Sequence, residues 1–286
     1  MVNLLPFILF LFLSCKGDNN DSLQIAQGND AIEDPDDCSN CLWKEEFEGP
    51  EINLNNWNFQ LGYGDWEGAN GWGNDEWQEY TDQNASIIDG SLVITAKNPS
   101  GTLGKRDGSI TSSRMTTEGK YEFGPGTRIV AKIKAPWGQG IWPAFWALGS
   151  NHRDVGWPEC GEIDIFEMIG GNPLSNQNNR KNHSTHHWKD NGNHASYGNS
   201  IDFYEPLSSD YHIYELIWDN DYMETKLDGI SFHKIDITPD NVFNTFHKSF
   251  YIILNVAVGG HWPGAPNYQT EFPQKMFVDY IRVYPL

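Results

Sequence analysis

The chain has 286 residues, a formal net charge of −20, 38% hydrophobic residues and an unusually high aromatic share of 14%. That length supports a sizeable hydrophobic core in one large domain or two smaller ones. The acidic balance argues against a nucleic-acid partner, which requires a basic surface.

In chain order, residues 1–15 come first as an apolar run ending in Leu13-Ser14-Cys15. It falls short of the ~20 residues that span a bilayer as a helix and suits the hydrophobic region of a signal peptide. Leu13-Ser14-Cys15 resembles a bacterial lipobox, in which Cys15 becomes the lipidated first residue, although no Lys or Arg precedes it. The expectation is an exported lipoprotein, held at the outer membrane or cell surface through Cys15 alone, with ordinary secretion as the alternative. Residues 16–37 carry seven acids against Lys16 and few apolar side chains. Such a stretch cannot repay the entropy of ordering and reads as a flexible acidic linker, leaving residues 38–286 as one domain.

Beyond Cys15, three cysteines remain: Cys38, Cys41 and Cys160. The Cys38–Cys41 spacing has no second pair to complete a zinc site. A local disulfide, or a bridge from either to Cys160, both stay open.

From Trp43 onward, short β-branched and aromatic stretches alternate with Gly, Asn and Asp turns. The clearest strands are Ser91–Ala96, Thr127–Ile133, His212–Trp218 and Lys275–Val283. Asp89-Gly90 and Asp228-Gly229 read as tight hairpin turns. Helical periodicity is confined to about one turn near Pro239–Asn244. Many short strands without a repeat imply an all-β sandwich of antiparallel sheets. The polar segment Asn172–Asn182 reads as a loop on the rim of a cleft.

The run Gly161-Glu162-Ile163-Asp164-Ile165-Phe166-Glu167 holds the chemistry. Alternation with Ile163 and Ile165 puts Glu162 and Asp164 on one face of a strand. Glu167 is out of phase, and a β-bulge near Ile165–Phe166 would return it to the acidic face. Alternating acids ordinarily mark a solvated face. Here Trp142-Pro143-Ala144-Phe145-Trp146 and Trp157-Pro158 flank them, and rings beside paired carboxylates suit a sugar polymer.

With these residues in view, the chain resembles the glycoside hydrolases of family 16, in their laminarinase-like (endo-β-1,3-glucanase) branch. The resemblance runs from Trp43 to Tyr284. Its ordered motifs are Trp72-Gly73-Asn74-Asp75-Glu76, Ile110-Thr111-Ser112-Ser113-Arg114, Gly140–Trp146, Gly161–Glu167, Asn255–Gly264 and Val278–Tyr284. Two residues between Asp164 and Glu167 give the bulged spacing of laminarinases, agarases and carrageenases. The resemblance implies a concanavalin-like β-jelly-roll sandwich with a concave substrate cleft. It implies retention of anomeric configuration, with Glu162 as nucleophile and Glu167 as acid and base, about 5–5.5 Å apart. Asp164 would hydrogen-bond one of them, expected to be Glu162.

For substrate binding the resemblance points to Asn74, Glu76 and Arg114 on sugar hydroxyls and His187 near the cleaved bond. Trp142, Trp146 and Trp157 would be stacking platforms, with core packing as the competing role. Asn255 and Trp262 could reach the cleft from their segment. A metal cluster of His187 with His183 and His194 is disfavoured, because adjacent His186 and His187 point opposite ways on a strand. Catalysis of this kind needs no cofactor. A structural Ca²⁺ is implied at the Glu46 side chain, the Gly90 carbonyl and the Asp279 side chain. The expected substrate is β-1,3-glucan, cleaved internally by a monomer. Mixed-linkage glucan and agar-type galactan are enzymatic alternatives, and a non-catalytic glucan-binding protein is the alternative of another class.

Overall fold

A computed structural model describes residues 38–64, 70–171 and 177–286. The export signal, Cys15 and the acidic linker lie outside the described residues. In chain order the strands are β1 (Trp43–Glu45), β2 (Asn58–Phe59), β3 (Glu79–Tyr80), β4 (Ala85–Ile88), β5 (Ser91–Ala96), β6 (Thr111–Ser112), β7 (Arg114–Thr116), β8 (Thr127–Lys134) and β9 (Ile141–Gly149). They continue with β10 (Glu162–Glu167), β11 (Lys181–Asp190), β12 (Asn193–Asp202), β13 (His212–Trp218), β14 (Tyr222–Leu227), β15 (Ile230–Asp236), β16 (Phe250–Val258) and β17 (Gln274–Pro285).

Two antiparallel sheets make the sandwich. One has seven strands in the order β12-β11-β10-β9-β16-β7-β2, and the other has eight, β15-β14-β13-β8-β17-β5-β4 with β1 also on β17. A parallel pair, β3 and β6, lies beside them. The predicted strands fall where expected, and the turn near Pro239 is a short helix, Asp240–Phe243. Asp89-Gly90 and Asp228-Gly229 both join strands with positive φ at each turn residue, as type I′ hairpins require. Cys38 and Cys41 form the disulfide, and Cys160 is free and buried.

The core lies between the sheets. Strand β16 shows the division of labour. All nine of its residues are buried, but Phe250, Ile252, Leu254, Val256 and Val258 join the inter-sheet core while Tyr251, Ile253, Asn255 and Ala257 face the other way. Each large core side chain contributes about 1.5–3 kcal/mol through burial, which anchors the seven-stranded sheet to the core.

The polar segment expected to be a loop through Asn182 ends sooner. Residues Gln177–Arg180 form a 3₁₀ turn, and Asn182 is already two residues into the ten-residue strand β11.

The implied calcium ligands sit on or next to strands that pair with one another. Strand β5 pairs with Gln274–Val278 of β17 and β1 with Ile281–Val283, leaving Asp279 between the two paired stretches. Glu46 follows β1 and Gly90 precedes β5. Both carboxylates are engaged, however: Glu46 takes Arg282 through two bonds of 2.9 Å, and Asp279 pairs with Lys132 at 2.9 Å. The oxygen donors suit Ca²⁺, but an ion there must displace or share with these cations.

Candidate active site

The bulge expected in the acidic strand is present. Pairing of β10 with β11 runs Asp164 opposite Thr185 and then Glu167 opposite His183, so Ile165 and Phe166 together face the single residue Ser184. Both Ile165 and Phe166 point into the core, after which the alternation resumes with Glu167 outward and Met168 inward. One extra residue therefore brings the third acid back to the face of Glu162 and Asp164.

That face floors a cleft of about 730 Å³. Neighbouring strands supply alternate residues to it: Trp142 and Trp146 from β9, His183, Thr185 and His187 from β11, His194 from β12, Asn255 from β16 and Arg114 from β7. Connections add the walls, with Trp72, Asn74 and Glu76 on one side, Trp157 on another, and Trp262 from the β16–β17 crossing. Every expected substrate residue lines this cleft. Asp164, 2% exposed, lies just beneath its floor.

Each glutamate receives one indole N–H. Trp157 Nε1 donates to Glu162 Oε2 at 2.9 Å, and Trp142 Nε1 donates to Glu167 Oε1 at 3.0 Å. The tryptophans are thus polar partners of the acids as well as apolar surface. Trp157 is 52% exposed, which rules out core packing for it. Trp142 packs edge-on against Trp262, whose ring also meets His183.

Asp164 lies beside His187, whose Nε2 is 3.3 Å from Asp164 Oδ2 and 3.8 Å from Glu162 Oε1. His187 can reach both because β11 pairs it directly with Glu162. His187 Nδ1 meets His194 Nε2 at 2.9 Å, and the two rings stack, so His194 steers His187. Glu162, Asp164 and His187 are the only three-residue group of metal-ligand type among the described residues. His183 faces the cleft but is outside that group.

The three acids differ electrostatically. Burial raises the pKa of Glu162, but His187, the Trp157 N–H and Arg114 oppose the rise, so this carboxyl has support for its charged form. Burial pushes Glu167 well above the carboxylate range, and the charges of Asp164 and Glu162 push it further, with the Trp142 N–H as the leading opposing influence. Burial and the charge of Glu162 hold Asp164 well up too. A carboxyl whose charge is supported, beside one whose pKa is pushed well up, is the pattern an acid–nucleophile pair needs.

The far wall is a polar network. Glu76, 2% exposed, accepts from Gln78 at 2.7 Å, Tyr80 at 3.0 Å and Asn74 at 3.2 Å. Asn255 donates to the Tyr80 hydroxyl at 3.2 Å and accepts from Trp146 Nε1 at 2.7 Å. The Arg114 guanidinium sits between the rings of Trp72 and Trp146, 4.7 and 4.8 Å from their centroids, and bonds Gln60 at 2.6 Å. Burial raises the Glu76 pKa while Arg114 opposes it most. Arg114 and Glu76 are both buried in the lining of the cleft.

Sequence reasoning missed Trp72, Thr185 and His194 as lining residues. Trp72 carried a signal, its place in the Trp72–Glu76 motif, but its backbone at φ 57°, rare for a bulky residue, could not be read beforehand.

The sequence matches the family described as glycosyl hydrolases family 16 over residues 73–282. It is 37% identical over 259 residues to a glucan endo-1,3-beta-glucosidase of Cryptopygus antarcticus, covering 84% of this chain and 90% of that one. It is 35% identical over 246 residues to the clotting factor G alpha subunit of Tachypleus tridentatus, covering 85% of this chain and 33% of the relative. The chain spans about a third of the length of the first curated relatives it matches, 33% and 38%. Among solved structures, the catalytic domain of an endo-1,3-beta-glucanase (laminarinase) from Thermotoga petrophila RKU-1 superimposes with a TM-score of 0.76 at 42% identity, over 85% of this chain and 96% of that one.

Proposed function

The chain belongs to the glycosyl hydrolases of family 16, and from that premise we propose that it is a retaining endo-hydrolase of β-1,3-glucan. The contrast between its two cleft glutamates carries this reading: Glu162 has cationic and N–H support for its charge, whereas burial and the charges of Asp164 and Glu162 push the pKa of Glu167 well up. Glu162 attacks the anomeric carbon and forms a glycosyl-enzyme ester while Glu167 protonates the departing oxygen. Glu167, now a carboxylate, takes a proton from water as that water releases the sugar. Asp164 and His187 bear on the charge of Glu162 from below and beside it. Trp72, Trp142, Trp157 and Trp262 offer ring faces or edges to pyranose units, and Arg114, Asn74, Glu76 and Asn255 offer polar contacts to hydroxyls. The relatives named for endo-1,3-beta-glucanase activity support the linkage, and the two glutamates disfavour a purely binding role.

The test is a set of polysaccharides, laminarin, lichenan and agarose, assayed for new reducing ends, with NMR following the first anomer released. Internal cleavage of laminarin with the β-anomer appearing first is expected. Cleavage of agarose or lichenan alone, or first release of the α-anomer, would refute it.

We further propose that the enzyme is a monomer tethered by lipid on Cys15, so that Cys15→Ser moves it from the membrane to the soluble fraction. A structural Ca²⁺ at Glu46, Gly90 and Asp279 is proposed on their oxygen donors and on the pairing of β1 and β5 with the strand that carries Asp279. A melting temperature unchanged by excess EDTA and by added Ca²⁺ would defeat it.

A further inference from the structure

The bulge that returns Glu167 to the cleft breaks the ladder between β10 and β11, and backbone groups there need other partners. Side chains of β11 supply them. Ser184 Oγ donates to the carbonyl of Asp164 at 2.7 Å. Asn182 Nδ2 donates to the carbonyl of Ile165 at 3.3 Å, and Asn182 Oδ1 accepts the N–H of Glu167 itself at 3.2 Å. Both residues are fully buried on the inner face of the sheet, where an ordinary strand would carry apolar side chains.

The brace extends to the opposite sheet. The single hydroxyl proton of Ser184 is committed to a carbonyl, which can only accept. Ser184 Oγ therefore accepts from Thr225 Oγ1 of β14 at 2.9 Å and from His233 Nδ1 of β15 at 3.0 Å. This fixes the His233 tautomer with its proton on Nδ1. Burial lowers the pKa of His233 to about 4, so the ring stays neutral near pH 7.

We propose that Asn182 and Ser184 are positioning residues that lock the β10 bulge and thereby hold the Glu167 carboxyl over the cleft in register with Glu162. This deepens the functional reading above and rests on Glu167 being the proton donor. A regular ladder would need none of these three side-chain bonds. They converge on the two residues that flank the inserted pair and on Ile165, one of that pair.

A misplaced proton donor has a specific signature. A polysaccharide leaving group needs protonation, whereas dinitrophenolate leaves without it. Asn182→Leu and Ser184→Ala are compared with wild type on laminarin and on the dinitrophenyl glycoside of laminaribiose. Ile129→Val, a core change in the other sheet, controls for destabilisation alone. Expected for Asn182→Leu is at least a tenfold loss of kcat on laminarin with KM within about twofold. On the aryl glycoside kcat/KM should fall less than threefold. Ser184→Ala follows the same pattern more weakly, and Ile129→Val shows no dependence on leaving group. Equal losses on both substrates, or no loss on laminarin, overturn the proposal. Should Asn182→Leu fail to fold, Asn182→Asp keeps the acceptor for the Glu167 N–H, removes the donor to Ile165, and is read by the same comparison. If wild type opens lichenan or agarose and leaves laminarin intact, the substrate reading fails alone, and the comparison is run on that polysaccharide and its matching aryl disaccharide. If wild type opens none, the positioning role falls with the function.

Discussion

Replacing Arg114 with leucine tests how the polar wall of the cleft is balanced. The guanidinium makes two ring contacts, to Trp72 at 4.7 Å and Trp146 at 4.8 Å. Together these are worth about 2 kcal/mol, on ~0.5–1 kcal/mol for exposed contacts and ~2 kcal/mol for desolvated ones. The bond to Gln60 at 2.6 Å adds about 1.5–3 kcal/mol as a charged hydrogen bond. Leucine recovers about 1–2 kcal/mol by filling apolar space between the indoles. Stranding the buried Glu76 carboxylate would cost about 3–5 kcal/mol if it stayed charged, but taking up a proton limits that cost. The net expectation is a loss of about 3–4 kcal/mol at pH 7.5, or roughly 6–16 °C in Tm at ~2–4 °C per kcal/mol for a domain of this size. The sign with pH follows from Glu76. Its pKa is already raised in the folded state, so it favours folding fully below the unfolded carboxyl value near ~4.3 and loses that contribution as pH rises through the folded value. Removing Arg114 raises the folded value further, so the deficit against wild type grows from pH 5 to pH 7.5. Thermal unfolding at both values, repeated in a Glu76→Gln background, is the assay. A Tm deficit equal at the two pH values and unchanged by Glu76→Gln would refute the reasoning.

Glu162→Gln and Glu167→Gln should each lose at least two orders of magnitude in kcat on the polysaccharide substrate, and Asp164→Asn less, measured by reducing-end release; near-wild-type turnover in either glutamine variant removes the assignment. Glu167→Gln should also raise Tm relative to wild type increasingly from pH 5 to pH 8. The folded pKa of Glu167 is raised by burial and the neighbouring acids, so wild type forfeits stability as pH climbs through it and the amide does not. A Tm difference that shrinks with pH over the same scan would contradict the raised pKa. Trp157→Phe keeps a ring at the cleft mouth and deletes the N–H to Glu162 Oε2. It should lower kcat by about 3–20-fold, the worth of a ~0.6–1.8 kcal/mol hydrogen bond to a charged group near solvent, with a smaller change in KM.

The acid motif was legible because it obeys a two-residue period that fails at one place. Ile163 and Ile165 mark the inward phase, and Glu167 breaks it, so only an inserted residue reconciles three acids with one face. The structure spends that residue at Ile165–Phe166, both of which reach the core. The rings flanking the motif were legible as cleft surface, but their indole N–H groups on the glutamates were not, since a donor's direction depends on rotamer and neighbouring strand. The place of His187 beside Asp164 was not legible for a related reason. Sequence proximity pointed from Asp164 to Glu162, and only the pairing of β11 sets His187 directly across from Glu162 and within reach of both acids.

Strand β11 was the least legible element, and the cause lies in the bulge itself. A strand facing a solvated cleft on one side and a core on the other should alternate polar with apolar residues. Here the inward positions Asn182, Ser184 and His186 are all polar and fully buried, so the pattern reads as a loop at its start. Two of those three side chains satisfy backbone groups at the bulge. An apolar residue in their place would have restored the strand signal and left buried amide groups unpaired, at about 1–3 kcal/mol each. The polar inner face that obscures β11 in the sequence is therefore a consequence of the same inserted residue that brings Glu167 into the cleft. A chain with the bulged acid spacing should carry hydrogen-bonding side chains on the inner face of the strand that follows, and a chain with the regular spacing has no such need.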